Sequence, residues 1–459
     1  MRLIYIMALI IFLIVNIALY FNADYFIDIN LVHILPSIVL IFIYITSKIL
    51  KGKNVDWTAI DNVFFILFYT FHFSYIYLYF LGMSDYDSEV FWDGRYIYPS
   101  IYLLTIAVSS FLIGFNLIVK DISLSRSIYI DFNYSELYTI SKFFILLVLA
   151  FFWLPILSII SLAFSDYKSL ISVGALSPIG KLYWVGQYMA VGSLAAYYIS
   201  RVKLNKPLIG GFSSYLAIFY ILSYLIIGDR GGFMFYAIIP LIVYNLFYKK
   251  INLLKGLILG VIVLSISSIL AVSRVNSIYN PLDAYEAYSK VSSNNIVVGA
   301  LEEFGKSFKT IPMIMSYIPE QYDYWYGKSY FDSLMIALPS LFETRTSESI
   351  AAWLTETAFG KDTYGRGGSI LMESYGNFGL FGSVLFFIVL GLLSGKLYNN
   401  YKYSSNIYWV IAYIAFVASL CMWMRNSSTV VSRTVIWSLL MVWFAIHIAP
   451  YLPIKKGNL

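Results

Sequence analysis

Apolar runs of about 17 to 22 residues recur along the whole chain, lying near residues 3–21, 30–47, 62–81, 99–118, 139–162, 182–200, 208–227, 232–248, 253–273, 379–398, 406–424 and 432–450. At 1.5 Å rise per residue, each run matches a hydrocarbon core about 30 Å thick. Lipid offers the backbone no hydrogen-bond partner, so the runs must be helices. The expected fold is an all-α polytopic membrane protein of about twelve transmembrane helices. Composition agrees: 60% of the 459 residues are hydrophobic and 12% charged, whereas soluble domains carry roughly 25% charged residues. The first run follows Met1-Arg2 and lacks an Ala-x-Ala cleavage site, so it reads as a retained helix rather than a signal peptide.

Charge between the runs sets the topology. Lys48, Lys51 and Lys53 follow the second run, Lys120 and Arg126 the fourth, Arg201, Lys203 and Lys206 the sixth, and Lys249, Lys250 and Lys255 the eighth. Lys396 lies at the end of the tenth run and Lys402 just beyond it, and Lys455 and Lys456 follow the twelfth. The alternation is strict, and the positive-inside rule makes these loops and both termini cytoplasmic. The opposite loops are acidic, with Asp24 and Asp28, then Asp85, Asp87, Glu89 and Asp93. The chain therefore divides into helices one to nine over 1–273, a large outer loop over 274–378, and helices ten to twelve over 379–459.

A connection of that length must hold structure of its own. Its stretch Ile296–Ile318 is amphipathic at helical spacing, with Glu302, Glu303, Lys306 and Lys309 among apolar residues, and reads as a helix along the membrane surface. Ser333–Phe342 and Ile350–Phe359 are apolar but too short to span, which suits re-entrant or interfacial helices.

Some chemistries are disfavoured at once. The single cysteine, Cys421, excludes an intramolecular disulfide and a cysteine metal cage. His33, His72 and His447 are far apart, so no metal site is expected, and His72 is expected to make a satisfied helix-to-helix hydrogen bond. The 42 tyrosines and 10 tryptophans read as interfacial belts, with some free to stack on sugars. Nothing suggests nucleic acid as a partner.

The arginines depart from the lysines. Arg95, Arg230, Arg274, Arg345, Arg366, Arg425 and Arg433 fall on the outer side, seven of the ten in the chain. A guanidinium fork grips phosphate or carboxylate bidentately, so an outer-face anion is one partner; the alternative is pairing with nearby Asp and Glu, the reading preferred for Arg95 and Arg274. Arg230 sits in the turn Gly228-Asp-Arg-Gly-Gly232, and Arg425 and Arg433 flank the turn Met424–Arg433. Charges at the lip of a helix bundle point to function. In the large loop, Pro339–Arg345 and the glycine-rich Gly365–Gly382 add Arg345, Arg366 and Glu373. Desolvation at the interface would bring Glu373 toward the range a general base or acid needs, unless it pairs with Arg366 or Arg345.

These segments, in this order, resemble the Wzy family of polysaccharide repeat-unit polymerases, which includes the O-antigen and enterobacterial common antigen polymerases. The matching pieces are Gly228–Gly232 opening a span, Pro339–Arg345, the Glu-x-Tyr-x-Asn-Phe-Gly run 373–379, and Met424–Arg433. The resemblance implies a metal-independent glycosyltransferase of the bacterial cytoplasmic (inner) membrane acting on undecaprenyl-pyrophosphate-linked oligosaccharides at its outer face. The growing glycan would pass en bloc to the non-reducing end of a new lipid-linked unit, with no cofactor. A Wzz-type chain-length regulator and a Wzx-type flippase would be partners. On this reading Arg230, Arg425 and Arg433, completed by Arg345 or Arg366, bind the pyrophosphate, with Arg230, Arg425 and Glu373 as the catalytic set. Glu373 would activate the acceptor hydroxyl, and Tyr324 and Trp325 of the cluster Tyr322–Gly327 would bear sugar rings.

Three other readings stand beside it, one of them a metal-dependent membrane glycosyltransferase with Asp85-Tyr-Asp-Ser-Glu89 as its carboxylate motif, although an acidic solvated loop accounts for that segment equally. An O-antigen ligase of the same superfamily typically relies on a histidine in the large loop, and 274–378 contains none. A flippase or other transporter tends to show repeated halves and midplane charges, and here the halves are unlike.

Overall fold

The computed structural model describes residues 2–52, 55–56, 58–120, 133–158, 178–226, 230–248, 251, 256, 260, 296–337, 349–360 and 367–448. Among these residues every regular element is a helix. In chain order they are α1 (Arg2–Phe21), α2 (Leu31–Lys51), α3 (Ile60–Phe80, with a π-helical turn at Tyr69–Phe73), α4 (Gly94–Ile118), α5 (Tyr134–Ser158), α6 (Pro178–Lys203), α7 (Phe212–Ile226) and α8 (Arg230–Phe247). After them come α9 (Ile296–Gly305), α10 (Thr310–Tyr317), α11 (Lys328–Ala337), α12 (Ile350–Phe359), α13 (Ile370–Tyr403), α14 (Ile407–Trp423) and α15 (Thr429–Ile448).

Seven of the described helices are long and apolar enough to cross a membrane: α1 to α5, α13 and α15. Three shorter apolar helices, Phe212–Tyr224, Gly231–Phe247 and Ile407–Trp423, fall on the seventh, eighth and eleventh apolar runs. The ninth run, 253–273, lies almost wholly outside the described residues.

The chain forms two compact units. The first comprises residues 1–127, 294–403 and 420–430, so the segment after residue 294 belongs with the first four helices. Its centre is α4, whose side chains are almost all buried between α1 and α13. Glycine allows that burial. A Cβ at Gly114 would run into the Ile388 carbonyl, and one at Gly391 into the Phe111 carbonyl. Where lipid supplies no hydrophobic drive, such close backbone approach is what holds helices together. Gly391→Val should destabilise the protein by roughly 2 kcal/mol through overpacking, read as a lower unfolding temperature in detergent. Unchanged unfolding would show that α4 and α13 do not meet there.

Polar side chains tie the same helices. Asn16 of α1 accepts from Thr105 of α4 at 2.7 Å. Lys48 is buried with Asp61, and Asp56 pairs with Lys402 at 2.7 Å and accepts from Tyr398 at 3.0 Å. His72 differs from its expectation of a helix-to-helix bond: Nδ1 lies 3.1 Å from Phe68 O of its own helix, and the buried Nε2 has no hydrogen-bond partner among the described residues.

The stretch 296–318 also departs from expectation. It breaks into α9, a 3-10 turn at Lys306–Lys309, and α10. Phe304, Phe308, Ile311 and Met313 to Met315 are buried in protein, against α3, α4 and α13. A Cβ at Gly305 would meet the backbone of Tyr75, so α9 lies directly on α3. Amphipathicity revealed an apolar face but not whether lipid or protein covers it.

The second unit comprises residues 128–293, 404–419 and 431–459. Here α5 and α6 pack along their length, and Gly192 of α6 lets the backbone of Ser438 in α15 come close. Arg201 is buried at the end of α6, donating to Pro207 O at 2.7 Å and to the Tyr138 and Tyr197 hydroxyls at 3.2 and 3.0 Å.

Candidate functional site

One end of the first unit gathers polar and aromatic side chains from segments far apart in sequence. Ser369 begins it by capping α13: its Oγ accepts from Met372 N at 2.9 Å and its carbonyl from Glu373 N at 2.9 Å. Serine is suited to this place because its short side chain reaches the orphan N–H groups of a first helical turn. The cap fixes Glu373 one turn into α13, completely buried.

Glu373 accepts four hydrogen bonds. Oε1 receives the hydroxyls of Ser329 at 2.8 Å and Ser428 at 2.7 Å; Oε2 receives Ser428 N at 2.7 Å and the Trp423 indole N–H at 3.3 Å. Ser329 belongs to α11, Trp423 ends α14, and Ser428 immediately precedes α15. A carboxylate is the one side chain that can accept this many bonds and donate none. It therefore joins three segments that share no local sequence relation.

The residues after Glu373 extend the join. Asn377, one turn on, donates to Glu373 O and to Ser329 Oγ, both at 2.7 Å. Its side-chain oxygen accepts from Gly327 N at 2.9 Å, and its carbonyl from Tyr326 N at 3.0 Å. Gly376 O accepts from Trp325 N at 3.0 Å. The loop Tyr322–Gly327 is thus pinned to α13 by consecutive backbone bonds. Gly379 then breaks the helix with φ +66°, and a Cβ there would strike the Tyr324 ring. The run 373–379 is a scaffold: Glu373 and Asn377 share Ser329, while Gly376, Asn377 and Gly379 hold the loop Tyr322–Gly327.

The turn 424–428 is held from a second side. Gly367, at φ +84°, leads into Gly368, whose N–H donates to Arg425 O at 2.8 Å. The Arg425 side chain is 41% exposed and lies 3.9 Å from Glu303 of α9. Charged pairs fasten the rest of this end: Lys306 to Asp87 at 3.1 Å, Lys309 to Glu89 at 3.4 Å, and Arg95 to Asp93 at 2.9 Å and Glu320 at 3.5 Å. Burial alone would raise the Asp87 carboxyl, but Lys306 and the backbone N–H of Glu89 hold it below the usual range. Arg95 is paired as the sequence suggests.

The remaining expected site residues divide between the units. In the second unit, Arg433 of α15 donates to the Tyr188 hydroxyl and lies 4.9 Å from the centre of that ring. Arg230 is the first residue of α8. Arg345 and Arg366, and with them the expected Pro339–Arg345 segment, lie outside the described residues. Tyr324 and Trp325 are half-buried, Trp325 against Trp353 and beneath the Lys328 ammonium at 5.3 Å.

Sequence reasoning did not single out Ser329, Trp423 or Ser428. A serine pair at helical spacing, Ser329 and Ser333, was the available signal: Ser333 Oγ lies 2.8 Å from Ser428 Oγ and 3.0 Å from Thr429 Oγ1, so both serines of α11 face the turn.

A family model described as O-antigen polysaccharide polymerase Wzy matches residues 3–456. No curated protein and no solved structure matches the chain.

Proposed function

The chain belongs to the Wzy family of O-antigen polysaccharide polymerases, and from that premise we propose that it lengthens undecaprenyl-pyrophosphate-linked oligosaccharides at the outer face of the bacterial cytoplasmic membrane. The growing glycan moves en bloc to the non-reducing end of a new lipid-linked unit. The bond between its reducing-end sugar and the pyrophosphate breaks, a glycosidic bond to the acceptor oxygen forms, the acceptor proton is released, and undecaprenyl pyrophosphate leaves. The match over nearly the whole chain carries this reading.

The leaving pyrophosphate gains negative charge in the transition state, and preorganised guanidinium groups stabilise that charge. Arg230, Arg425 and Arg433, with Arg345 and Arg366 of the large loop, are the proposed donors. Arg425 suits this role because its side chain, 41% exposed, reaches solvent at the turn. Arg433 suits it because Tyr188 orients the guanidinium plane. Arg230 opens α8, where first-turn N–H groups lack intrahelical acceptors and favour an anion.

Glu373 enters the proposal as a positioning residue. Its four donors occupy both oxygens, so it orders Arg425's turn and the aromatic loop, and activation of the acceptor hydroxyl is assigned to no side chain. Twelve crossings, an outer large loop, cytoplasmic termini, and a chain-length regulator and flippase as partners complete the proposal.

In a strain whose own polymerase is deleted, expression of this chain should restore a ladder of long glycans. Surface glycan limited to single repeat units, despite membrane-inserted protein, would oppose the reading. Arginines make a metal ion unnecessary, so polymerisation in isolated membranes should continue in excess EDTA; loss of activity restored by a divalent cation would contradict that part.

A further inference from the structure

We propose that the Tyr326 ring is a stacking platform for a sugar residue of the glycan, presented by a backbone held in a strained conformation for that purpose. This rests on the polymerase reading and assigns a contact within it.

Tyr326 has φ +46°, and among the described residues Asn205 is the one other non-glycine residue with positive φ. Asparagine enters that region readily, whereas a bulky aromatic residue rarely does. The loop cannot relax, because the N–H groups of Trp325, Tyr326 and Gly327 are bound in succession to Gly376 O, Asn377 O and Asn377 Oδ1. Asn377 is itself locked by Ser329 and the Glu373 carbonyl. The scaffold around Glu373 thus imposes the conformation.

The Tyr326 ring itself adds little burial in return: among the described residues its ring contact is an edge-on one with Tyr324, 6.3 Å between centres. The Tyr326 residue is 76% exposed, while its neighbours Tyr324 and Trp325 are half-buried among other rings. A residue both strained and exposed contributes little to stability, and such residues cluster at ligand-binding sites.

The surroundings indicate the ligand class. The open π face of tyrosine suits the C–H face of a pyranose ring. Exposed Asp323 and Lys328 flank it, with Tyr322 44% exposed, supplying a carboxylate, an ammonium and a hydroxyl for sugar hydroxyl groups. An acyl chain would be poorly served by such charged neighbours, and a phosphate would be repelled by Asp323.

The test uses the full-length chain in detergent and two variants, Tyr326→Gly and Tyr326→Phe. The binding probe is the repeat-unit oligosaccharide released from its lipid by mild acid. Glycine adopts positive φ freely, so Tyr326→Gly should unfold at or above the wild-type temperature. Its Kd for the oligosaccharide, and its KM for the lipid-linked acceptor, should rise roughly tenfold, with kcat changed far less. Tyr326→Phe keeps the ring and should bind as the wild type does. Equal Kd and KM in Tyr326→Gly, alongside a normal glycan ladder, would overturn the stacking role and leave the polymerase reading intact. Wild-type protein that binds the oligosaccharide through Tyr326 but makes no ladder would overturn the polymerase reading instead. Wild-type protein that does not bind the oligosaccharide at all would also overturn the stacking role.

Discussion

Glu373→Ala should unfold far more readily than the wild type and form no glycan ladder. The Ser428 N–H and the Trp423 indole N–H have fixed directions and lose their acceptor, while the Ser329 and Ser428 hydroxyls lose theirs but can turn. A buried donor without a partner costs about 1–3 kcal/mol, so two fixed donors together cost about 4 kcal/mol. That is a large share of the 5–15 kcal/mol by which a typical domain is stable. Glu373→Gln separates scaffold from chemistry. Its amide keeps the shape but turns an NH₂ toward one pair of donors, so stability and activity should fall together. A Gln variant with wild-type unfolding and activity reduced a thousandfold would make Glu373 a reacting group and contradict the positioning role.

The second large effect is expected at Arg425. Its pair with Glu303 spans 3.9 Å and is 41% exposed on the arginine side, a kind of ion pair worth under about 1 kcal/mol. Arg425→Ala should lose little stability through that pair, and its unfolding temperature in detergent is to be measured beside its activity. Its kcat should nevertheless fall by about 10² to 10³, the usual consequence of removing one preorganised donor from a charge-developing transition state. Arg425→Lys should recover little, because a single ammonium cannot reproduce a bidentate fork. Lysine at Arg230 or Arg433 should impair polymerisation in the same way. Full activity in the lysine variants would remove the arginine clamp from the mechanism.

How legible this was in the sequence depends on the range of the interaction. Apolar runs are local, and α1 to α8, α13, α14 and α15 fall on eleven of the twelve. The short helix α12 spans the Ile350–Phe359 predicted for it. The family read from the sequence is the one whose model matches residues 3–456. What could not be read was who covers whom. The stretch 296–318 has the apolar face of a surface helix, and only the fold shows that face buried in protein. The join at Glu373 brings together residues 329, 373, 423 and 428, and hydrogen bonds over such separations leave no periodicity. In the turn 424–433 the arginines are conspicuous in sequence by their charge, whereas Ser428 makes the contacts with Glu373. Tyr326 was hidden for a related reason: its position in an aromatic cluster is visible, but its positive φ goes with its backbone bond to Asn377, far along the chain.

The central claim, that this chain polymerises lipid-linked repeat units, is tested most directly with purified protein in detergent and a single defined substrate, the undecaprenyl-pyrophosphate-linked repeat unit. Wild-type protein should convert it into a ladder of products spaced by one repeat, with release of undecaprenyl pyrophosphate and no added nucleotide sugar. A substrate that remains one repeat long in the presence of folded protein would contradict the account.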